Sequence, residues 1–287
     1  MEILAPLGKI EYLNEIVEAG ADAVYAGISG LSSRPRSADL TLDEFKWAIQ
    51  YCHNSGKKIY VAFNACISDK NIDEILKYAQ ILDTYGVDAV IAADYGLVAV
   101  LASKLKYSKI HASTLLGVYN SQSIKILNNF GVNRIILSSD LYLSEISELI
   151  RKNPDMEYEI IAAGGICFQC NRQCRLTHGM SNGEYKVACQ NPYVLLENGK
   201  MIGRAKGIGA PQIRLYATLG LYQAIGISSF KIEGRTNKLK DICQRIQELV
   251  AAEEFLKNRE KETAGYLHYI SRYLEGKNSD LRRFNEL

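Results

Sequence analysis

The chain has 287 residues, of which 47% are hydrophobic and 23% are charged, and its formal net charge is +2. This composition is typical of a globular protein with one large domain or two small ones. The near-neutral charge provides no broad basic surface, so a nucleic-acid partner is unsupported but not excluded. The chain has no signal-peptide pattern and no apolar run long enough to cross a bilayer, so we expect a cytoplasmic protein without membrane insertion.

One sequence pattern recurs along the chain. An amphipathic helix ends at a glycine, and a short run rich in β-branched residues follows at once, at Gly20, Gly86, Gly131 and Gly226. Glycine favours the left-handed conformation that ends many helices, and the run behind it is typical of a buried parallel strand. The pattern therefore predicts a repeat of strand and helix.

The predicted elements, taken in chain order, give a complete repeat. The predicted strands are residues 2–5, 22–27, 58–66, 88–93, 109–113, 133–138, 158–163 and 228–233. The predicted helices are residues 9–19, 42–55, 71–85, 96–105, 120–130, 143–152, 213–225 and 237–258. This α/β alternation predicts a (β/α)8 TIM-type barrel over residues 1–258. An open doubly wound sheet is the alternative, but no glycine-rich dinucleotide fingerprint follows any strand.

Two helix starts are marked by capping signals. Thr41 and Glu44 have the spacing of a capping box, and Asn71 with Glu74 has a similar spacing with asparagine as the cap. We expect both helices to begin directly after these cap residues.

The chain between predicted strands 7 and 8 is unusually long. Residues 164–212 form an insertion that contains a cysteine segment and a hairpin over residues 185–189 and 194–202. The hairpin is expected to turn at Asn198 and Gly199. Residues 259–287 form a helical or extended tail that packs outside the barrel or binds a partner.

The cysteine segment is the predicted reactive centre. It has the pattern C-x2-C-x3-C-x14-C, formed by Cys167, Cys170, Cys174 and Cys189. Four thiolates suit tetrahedral zinc or an iron–sulfur cluster, and the spacing alone does not separate the two. Three ligands with one unused cysteine is a further alternative. The segment leaves strand 7 at its carboxyl end, where TIM-barrel active sites lie, so we expect a metal site over the barrel mouth.

Other polar residues lie at the carboxyl ends of the predicted strands. The candidate substrate-binding residues are Arg34, Arg36, Asn64, Asp94 and Ser113, and the candidate catalytic residues are His111, Glu233 and Arg235. A charge at the end of a buried strand is costly unless it is paired, so Glu233 and Arg235 either form salt bridges or face a ligand. We favour a ligand, with Arg235 as a carboxylate clamp and Glu233 as an orienting or proton-handling group. His111 is either a site residue or a satisfied core residue.

Several runs resemble the peptidase U32 family over residues 1–258. They are Lys231–Arg235, His111–Thr114, Ala5-Pro6, Val24–Gly27, and Gly165–Cys167 with Cys174. The family was named for reported collagenase-like proteolysis, but its better understood members resemble iron–sulfur proteins of oxygen-independent hydroxylation. These members act on a tRNA uridine or, as paired subunits, on ubiquinone precursors, with prephenate implied as the oxygen donor. The resemblance implies a 4Fe–4S cluster on Cys167, Cys174 and Cys189.

The fourth cluster ligand is where the chain departs from the family. One branch has a cysteine where this chain has Arg214-Leu215-Tyr216, and another has one where this chain has Leu31-Ser32-Ser33. Cys170 is the natural substitute. The tRNA-acting members resemble longer proteins, so the length and charge of this chain favour a small-molecule or peptide substrate and a paralogous partner subunit.

Three functions are compatible with these residues. The favoured one is an iron–sulfur-dependent, oxygen-independent hydroxylase or redox enzyme, of which tRNA uridine hydroxylation is one alternative form. A second is a metal-dependent peptidase with Glu233 or Asp94 as general base, although the chain lacks an H-E-x-x-H zinc motif. The third is a non-catalytic subunit whose cluster passes electrons to a partner.

Overall fold

A computed structural model of the protein describes residues 1–28, 31–32, 39–65, 67–165, 192–205 and 212–258. Its strands are β1 (Glu2–Pro6), β2 (Ala23–Ile28), β3 (Asp39–Leu40), β4 (Lys58–Phe63), β5 (Ala89–Ala92), β6 (Lys109–Ala112), β7 (Arg134–Ile136), β8 (Glu157–Gly165), β9 (Tyr193–Glu197), β10 (Lys200–Ala205), β11 (Gln212–Arg214) and β12 (Ser229–Ile232). Parallel pairing runs in the order β1-β2-β4-β5-β6-β7-β8-β12, and β12 pairs back to β1. The predicted (β/α)8 barrel is confirmed.

Helices cover the outside of the barrel. They are α1 (Leu13–Glu18), α2 (Leu42–Asn54), α3 (Asp69–Tyr85), α4 (Tyr95–Lys104), α5 (Ser121–Asn129), α6 (Leu143–Lys152), α7 (Leu219–Ala224) and α8 (Leu239–Asn258). Within the parts of the chain that the structure describes, no helix is both long and apolar enough to cross a membrane. The tail predicted for residues 259–287 lies outside the described residues.

The helix ends test the local signals of the sequence. Thr41 and Glu44 form the predicted capping box at the start of α2, and Gly86 ends α3 with a φ of 93°. The predicted cap at Asn71 is wrong, because the N-cap of α3 is Ser68 and Asn71 lies within the first turn. The amide of Asn71 already donates to the Ser68 carbonyl at 2.9 Å. A matching residue spacing therefore identified the helix but not its first residue.

Two strands were not predicted. β3 lies beside the carboxyl end of β2, where Gly27 is the register partner of Asp39. β11 runs antiparallel to the last residues of β8, with Gln212 opposite Gly165. A helix was predicted from residue 213, but β8 continues to Gly165 and its edge offers backbone hydrogen bonds that β11 takes up. The helix, α7, therefore begins only after a 3-10 turn over Tyr216–Thr218.

The hairpin prediction is confirmed at its turn. β9 and β10 pair in antiparallel fashion around Asn198 and Gly199, which both have positive φ, at 50° and 77°. These values are typical of the turn that joins two twisted strands with two residues. The part of the predicted hairpin at residues 185–189 lies outside the described residues.

The apolar core has two parts that follow the alternation of the barrel strands. One set of side chains packs between the barrel and the helices, and a smaller set that includes Leu4, Tyr25, Tyr60 and Ile91 fills the barrel interior. Residues two apart on a strand face the same side, so Glu2, Arg134, Glu159 and Lys231 also point inward. The barrel interior is therefore partly polar.

Arg134 is the centre of this polar interior. It donates from Nη1 to Glu2 at 2.5 Å and to Glu159 at 3.2 Å, and from Nη2 to Glu157 at 2.9 Å. The Ser229 hydroxyl also donates to Glu2, at 2.9 Å. Burial by itself raises the pKa of Glu2, but the hydrogen bonds and charge of Arg134 outweigh it and bring this pKa to about 2. The amino half of the barrel is thus held by ionised side chains.

Candidate active site at the carboxyl end of the barrel

Arg235 lies just beyond β12 and is bound within the protein. Its Nη1 donates to Asp39 Oδ1 at 3.1 Å, its Nη2 donates to the Ser32 hydroxyl at 3.2 Å, and that hydroxyl donates to Asp39 Oδ1 at 2.6 Å. The Arg235 and Asp39 side chains are 3% and 0% exposed. Of the two alternatives drawn from the sequence, the structure contains the salt bridge. The role of Arg235 as a carboxylate clamp stays a prediction.

The close approach of this ion pair to β2 depends on Gly27. A methyl group on Gly27 would overlap Asp39 Oδ1 and Arg235 Nη1. Asp39 was not predicted as a site residue, because it follows no strand with a recognisable pattern, whereas Ser32 lies in the loop after predicted strand 2 that also holds the candidates Arg34 and Arg36. The carboxyl end of β2 is thus joined to the loop after β12 through β3.

Lys231 is a second cation below the mouth. Its Nζ lies 3.4 Å from Glu159 Oε1, an ion pair, and 4.1 Å from the centroid of the Tyr25 ring. The guanidinium carbon of Arg235 lies 6.0 Å from the same centroid, so Tyr25 lies close to both cations. Burial lowers the pKa of Lys231, and Glu159 opposes this shift. The Lys231 side chain is still 11% exposed. The sequence did not predict this pairing, because Lys231 was noted there only as part of the run Lys231–Arg235.

Glu233 lies between Lys231 and Arg235 in the sequence, and its side chain is half-buried. Its backbone amide donates to Ala163 at 2.7 Å, and its carbonyl accepts from Arg245 Nη1 at 3.1 Å. Gly164 packs so closely against the Cβ of Glu233 that a side chain at position 164 would overlap this atom. The backbone of Glu233 is therefore fixed at the end of β8, where the cysteine segment begins.

His111 lies inside the barrel. It is 1% exposed, its ring packs edge-on against Tyr60 with centroids 4.9 Å apart, and Nδ1 has no hydrogen-bond partner. Burial and then the charge of Arg134 hold the pKa of His111 well below its usual value of 6.5, with Lys231 acting in the same direction. The side chain is a neutral imidazole deep in the barrel. Its contacts are those expected of a core residue rather than of a catalytic group.

Three predicted substrate-binding residues lie at or just beyond the ends of their strands, as expected. Asp94 caps α4 by accepting from the Leu97 amide at 3.0 Å, and the buried Ser113 hydroxyl accepts from the Leu115 amide at 3.2 Å. Asn64 is half-buried just beyond β4. The structure brings all three to the mouth end of the barrel, on the side opposite Glu2.

A polar cluster that the sequence did not identify lies over β7. The Ser138 and Tyr119 hydroxyls donate to Asp140 Oδ2 at 2.9 Å and 3.0 Å. Ser138 follows the inward alternation of Arg134 and Ile136, so the cluster lies at the barrel mouth. Only Ser138 had a signal in the sequence, because it ends a predicted strand.

Six predicted site residues lie outside the described residues. They are the candidate anion ligands Arg34 and Arg36 and the candidate metal ligands Cys167, Cys170, Cys174 and Cys189. Their roles therefore stay predictions. Among the residues that the structure does describe, no group of three or more His, Cys, Asp and Glu side chains is placed to hold a metal ion.

Comparison with curated proteins finds relatives over most of the chain. The chain is 28% identical over 82% of its length to tRNA hydroxylation protein P from Helicobacter pylori, covering 60% of that protein. It is 29% identical over 82% of its length to the 23S rRNA 5-hydroxycytidine C2501 synthase of Escherichia coli, covering 36% of that protein. A collagenase from Porphyromonas gingivalis is 25% identical over 88% of the chain, which covers 66% of that protein. The chain thus spans less than two thirds of the length of the two RNA-hydroxylation relatives.

Comparison with solved structures supports the same fold. The U32 peptidase Mk0906 superimposes with a TM-score of 0.55 at 13% sequence identity, over 82% of this chain and 93% of that protein. At this identity the likeness shows the barrel fold alone. The sequence model of peptidase family U32 matches residues 8–279, nearly the whole chain. This protein therefore belongs to peptidase family U32.

Proposed function

We propose that this chain is an oxygen-independent hydroxylase that acts on a pyrimidine base of RNA. The observation that carries the proposal is the similarity, over 82% of the chain, to two relatives whose names describe RNA hydroxylation. The preference for a small-molecule or peptide substrate rested on charge and length, and these relatives favour RNA over it. The cytoplasmic location and the paralogous partner subunit stay predictions.

The proposed cofactor is a 4Fe–4S cluster, with zinc as the alternative. Cys167, Cys170, Cys174 and Cys189 would hold it, and four thiolates are a donor set that both groups accept. Bound there, an iron–sulfur cluster would supply electron transfer at the mouth. The segment starts directly after Gly165, the last residue of β8. Its attachment at the carboxyl end of a barrel strand supports a role in the reaction rather than in stability alone.

Two described cations, Lys231 and Arg235, lie below the mouth, and each is paired with a carboxylate. Lys231 has the exposed fraction that a ligand group could contact, whereas Arg235 is held by Asp39 and Ser32. If prephenate is the oxygen donor, as the family resemblance implies, its carboxylates suit Arg34 and Arg36, with Lys231 adding positive charge from below. The Tyr25 ring lies 4.1 Å from Lys231 Nζ and 6.0 Å from the Arg235 guanidinium carbon, so it packs beside both cations.

The test is anaerobic purification of the wild type, Cys170→Ala and a matched control, Cys243→Ala. Cys243 lies on α8, where its thiol contacts the Glu15 carbonyl at 3.7 Å. We expect a brown wild-type protein with about four irons per chain, and a loss of iron in Cys170→Ala but not in the control. Each protein is then incubated with RNA and prephenate, and hydroxylated nucleosides are measured by mass spectrometry.

The outcomes separate the parts of this proposal. Hydroxylated pyrimidine that depends on wild-type iron content would support it. A colourless protein with one zinc and no RNA product would overturn it. If Cys170→Ala retains its iron, Cys170 is not a cluster ligand. The RNA measurement then decides the hydroxylase proposal.

Peptide hydrolysis is the second candidate, because a collagenase is among the relatives. It would require a metal-bound water and a general base. Asp94 is committed to capping α4, which leaves Glu233 as the better carboxylate. Cleavage of a peptide panel by zinc-loaded wild type, lost in Glu233→Gln, would favour this candidate over RNA hydroxylation.

A further inference from the structure

Tyr119 lies at the rim of the barrel mouth. It follows β6 and the 3-10 turn over Thr114–Leu116, and its hydroxyl donates to Asp140 Oδ2 at 3.0 Å and lies 3.4 Å from Ser138 Oγ. Ser138 is buried and continues the inward-facing positions of β7. The phenol therefore extends from the loop after β6 across the end of β7.

The ring of Tyr119 is held in place while part of it is accessible. Ser138 binds the Asp140 side chain at 2.9 Å and accepts from the Asp140 amide at 3.3 Å, so the group that anchors the hydroxyl is itself fixed. The Thr114 hydroxyl also ties the β6 loop to the Leu137 carbonyl at 3.2 Å. Tyr119 is nevertheless 40% exposed. Because its polar end is anchored, little rotational freedom would be lost when a flat ligand packs on the ring.

The position of Tyr119 relates it to the proposed reaction. β7 pairs directly with β8, and β8 ends at Gly165, where the predicted cluster segment starts. A ligand on the Tyr119 ring would thus lie at the same end of the barrel and beside the same strand. This is where a target base must be presented if the proposed function holds.

We propose that Tyr119 is the stacking platform for an unstacked pyrimidine base of single-stranded RNA at the barrel mouth. This inference rests on the proposed function. An enzyme that modifies a base must take it out of its stack, and proteins that bind single-stranded RNA commonly receive such bases on aromatic rings. Asp140 and Ser138 are positioning residues for the ring in this scheme.

The chain provides a matched control at the opposite end of the same strand, β6. Tyr107 precedes β6, so it lies at the amino end of the barrel, opposite the mouth, and it is 76% exposed. Tyr107→Ala therefore removes an exposed tyrosine ring that no base at the mouth could contact. Tyr119→Phe keeps the ring and removes only the anchored hydroxyl.

The experiment compares the full-length wild type, Tyr119→Ala, Tyr119→Phe and Tyr107→Ala, each checked for folding by circular dichroism. Fluorescence anisotropy measures binding of labelled oligouridylate and oligocytidylate. We expect Tyr119→Ala to weaken binding by about 5-fold to about 150-fold, the loss of one base–aromatic stack. Tyr107→Ala should match the wild type, and Tyr119→Phe should lose less than Tyr119→Ala. Equal affinity for Tyr119→Ala and wild type would overturn the inference.

Photo-crosslinking gives a second readout that does not depend on a variant. Wild-type protein is irradiated with iodouridine-substituted oligouridylate, and the crosslinked residue is identified by mass spectrometry. A crosslink to Tyr119 supports the platform, and crosslinks confined to other tyrosines contradict it. Hydroxylated nucleosides formed equally by wild type and Tyr119→Ala would end this inference and leave the proposed function intact. A wild type that neither binds nor hydroxylates RNA would end both.

Discussion

Arg235 and Asp39 form a buried ion pair at the mouth of the barrel, with Nη1 and Oδ1 3.1 Å apart. Arg235 follows β12, whereas Asp39 begins β3, an addition to the edge of β2. Because each charge is removed from water, each depends on the other for its stabilisation. The pair therefore fixes the position of β3 relative to the last barrel strand.

Gly27→Ala should break this pair. The added methyl group would overlap both charged side chains, and separating a buried ion pair typically costs about 3–5 kcal/mol. We expect a loss of that order in the free energy of unfolding, measured by urea denaturation. Gly203→Ala is the control, since a methyl group there meets no atom within 4 Å. Equal stability of the two variants would contradict the proposed dependence on Gly27.

Glu2→Gln should change the acid stability of the barrel. The folded-state pKa of Glu2 is about 2, below its ordinary value of 4.5, so its contribution is complete above about pH 4.5 and is lost as the pH falls toward 2. At neutral pH the substitution should cost about 3 kcal/mol. The stability difference between wild type and variant should shrink across that acid window, as followed by urea denaturation at each pH. Lys152 also lowers the pKa of Glu148, but this pair on α6 is exposed to solvent, so Glu148→Gln should change the acid transition much less than Glu2→Gln.

Lys231 and Glu159 should be energetically coupled. Lys231→Met leaves the Glu159 carboxylate without its second cation in a fully buried position, so we expect a loss of about 3 kcal/mol in unfolding free energy. The double variant, Lys231→Met with Glu159→Gln, should lose less unfolding free energy than the sum of the losses in the two single variants. The control is Lys152→Met, whose partner Glu148 is exposed, and this variant should change stability by less than about 1 kcal/mol. Strict additivity at Lys231 and Glu159 would show that the pair is not coupled.

The His111 ring should stay neutral across the physiological range. Burial and Arg134 disfavour its protonated form, so its ring signals in NMR spectra should not change between about pH 5 and about pH 8. A titration of His111 near pH 6.5 would contradict the burial of the ring and restore it as a candidate acid–base group.

The fold could be predicted because the same sequence pattern, a helix ended by glycine and followed by a strand, recurs along the chain. The predicted strands agree with the observed barrel strands within a few residues, since glycine caps such as Gly86 mark where helix gives way to strand. Asn71 shows the limit of such local patterns, because Ser68, three residues before it, is the actual cap. β11 could not be predicted, since it depends on the free edge of β8 rather than on its own residues.

The site was less predictable, because its contacts join distant parts of the chain. Glu157, Glu159 and Lys231 are charged residues in strands, and a sequence does not distinguish a polar barrel interior from a solvent-exposed face. Asp39 and Tyr119 follow no motif, yet they form contacts with Arg235 and Asp140 at the mouth. Glu233 and Arg235 were found because a short charged run ends a buried strand.

The pairing of Gly165 with Gln212 gives residues 166–211 a common point of departure and return. This segment starts at the end of β8 and ends at β11, which is hydrogen-bonded to β8. Its length therefore does not alter the spacing of any barrel strand. Natural variation could therefore lengthen, shorten or replace this segment while the scaffold stays the same. If this segment holds the proposed cofactor, exchanging residues 166–211 between family members should change the cofactor site while the barrel strands stay in place.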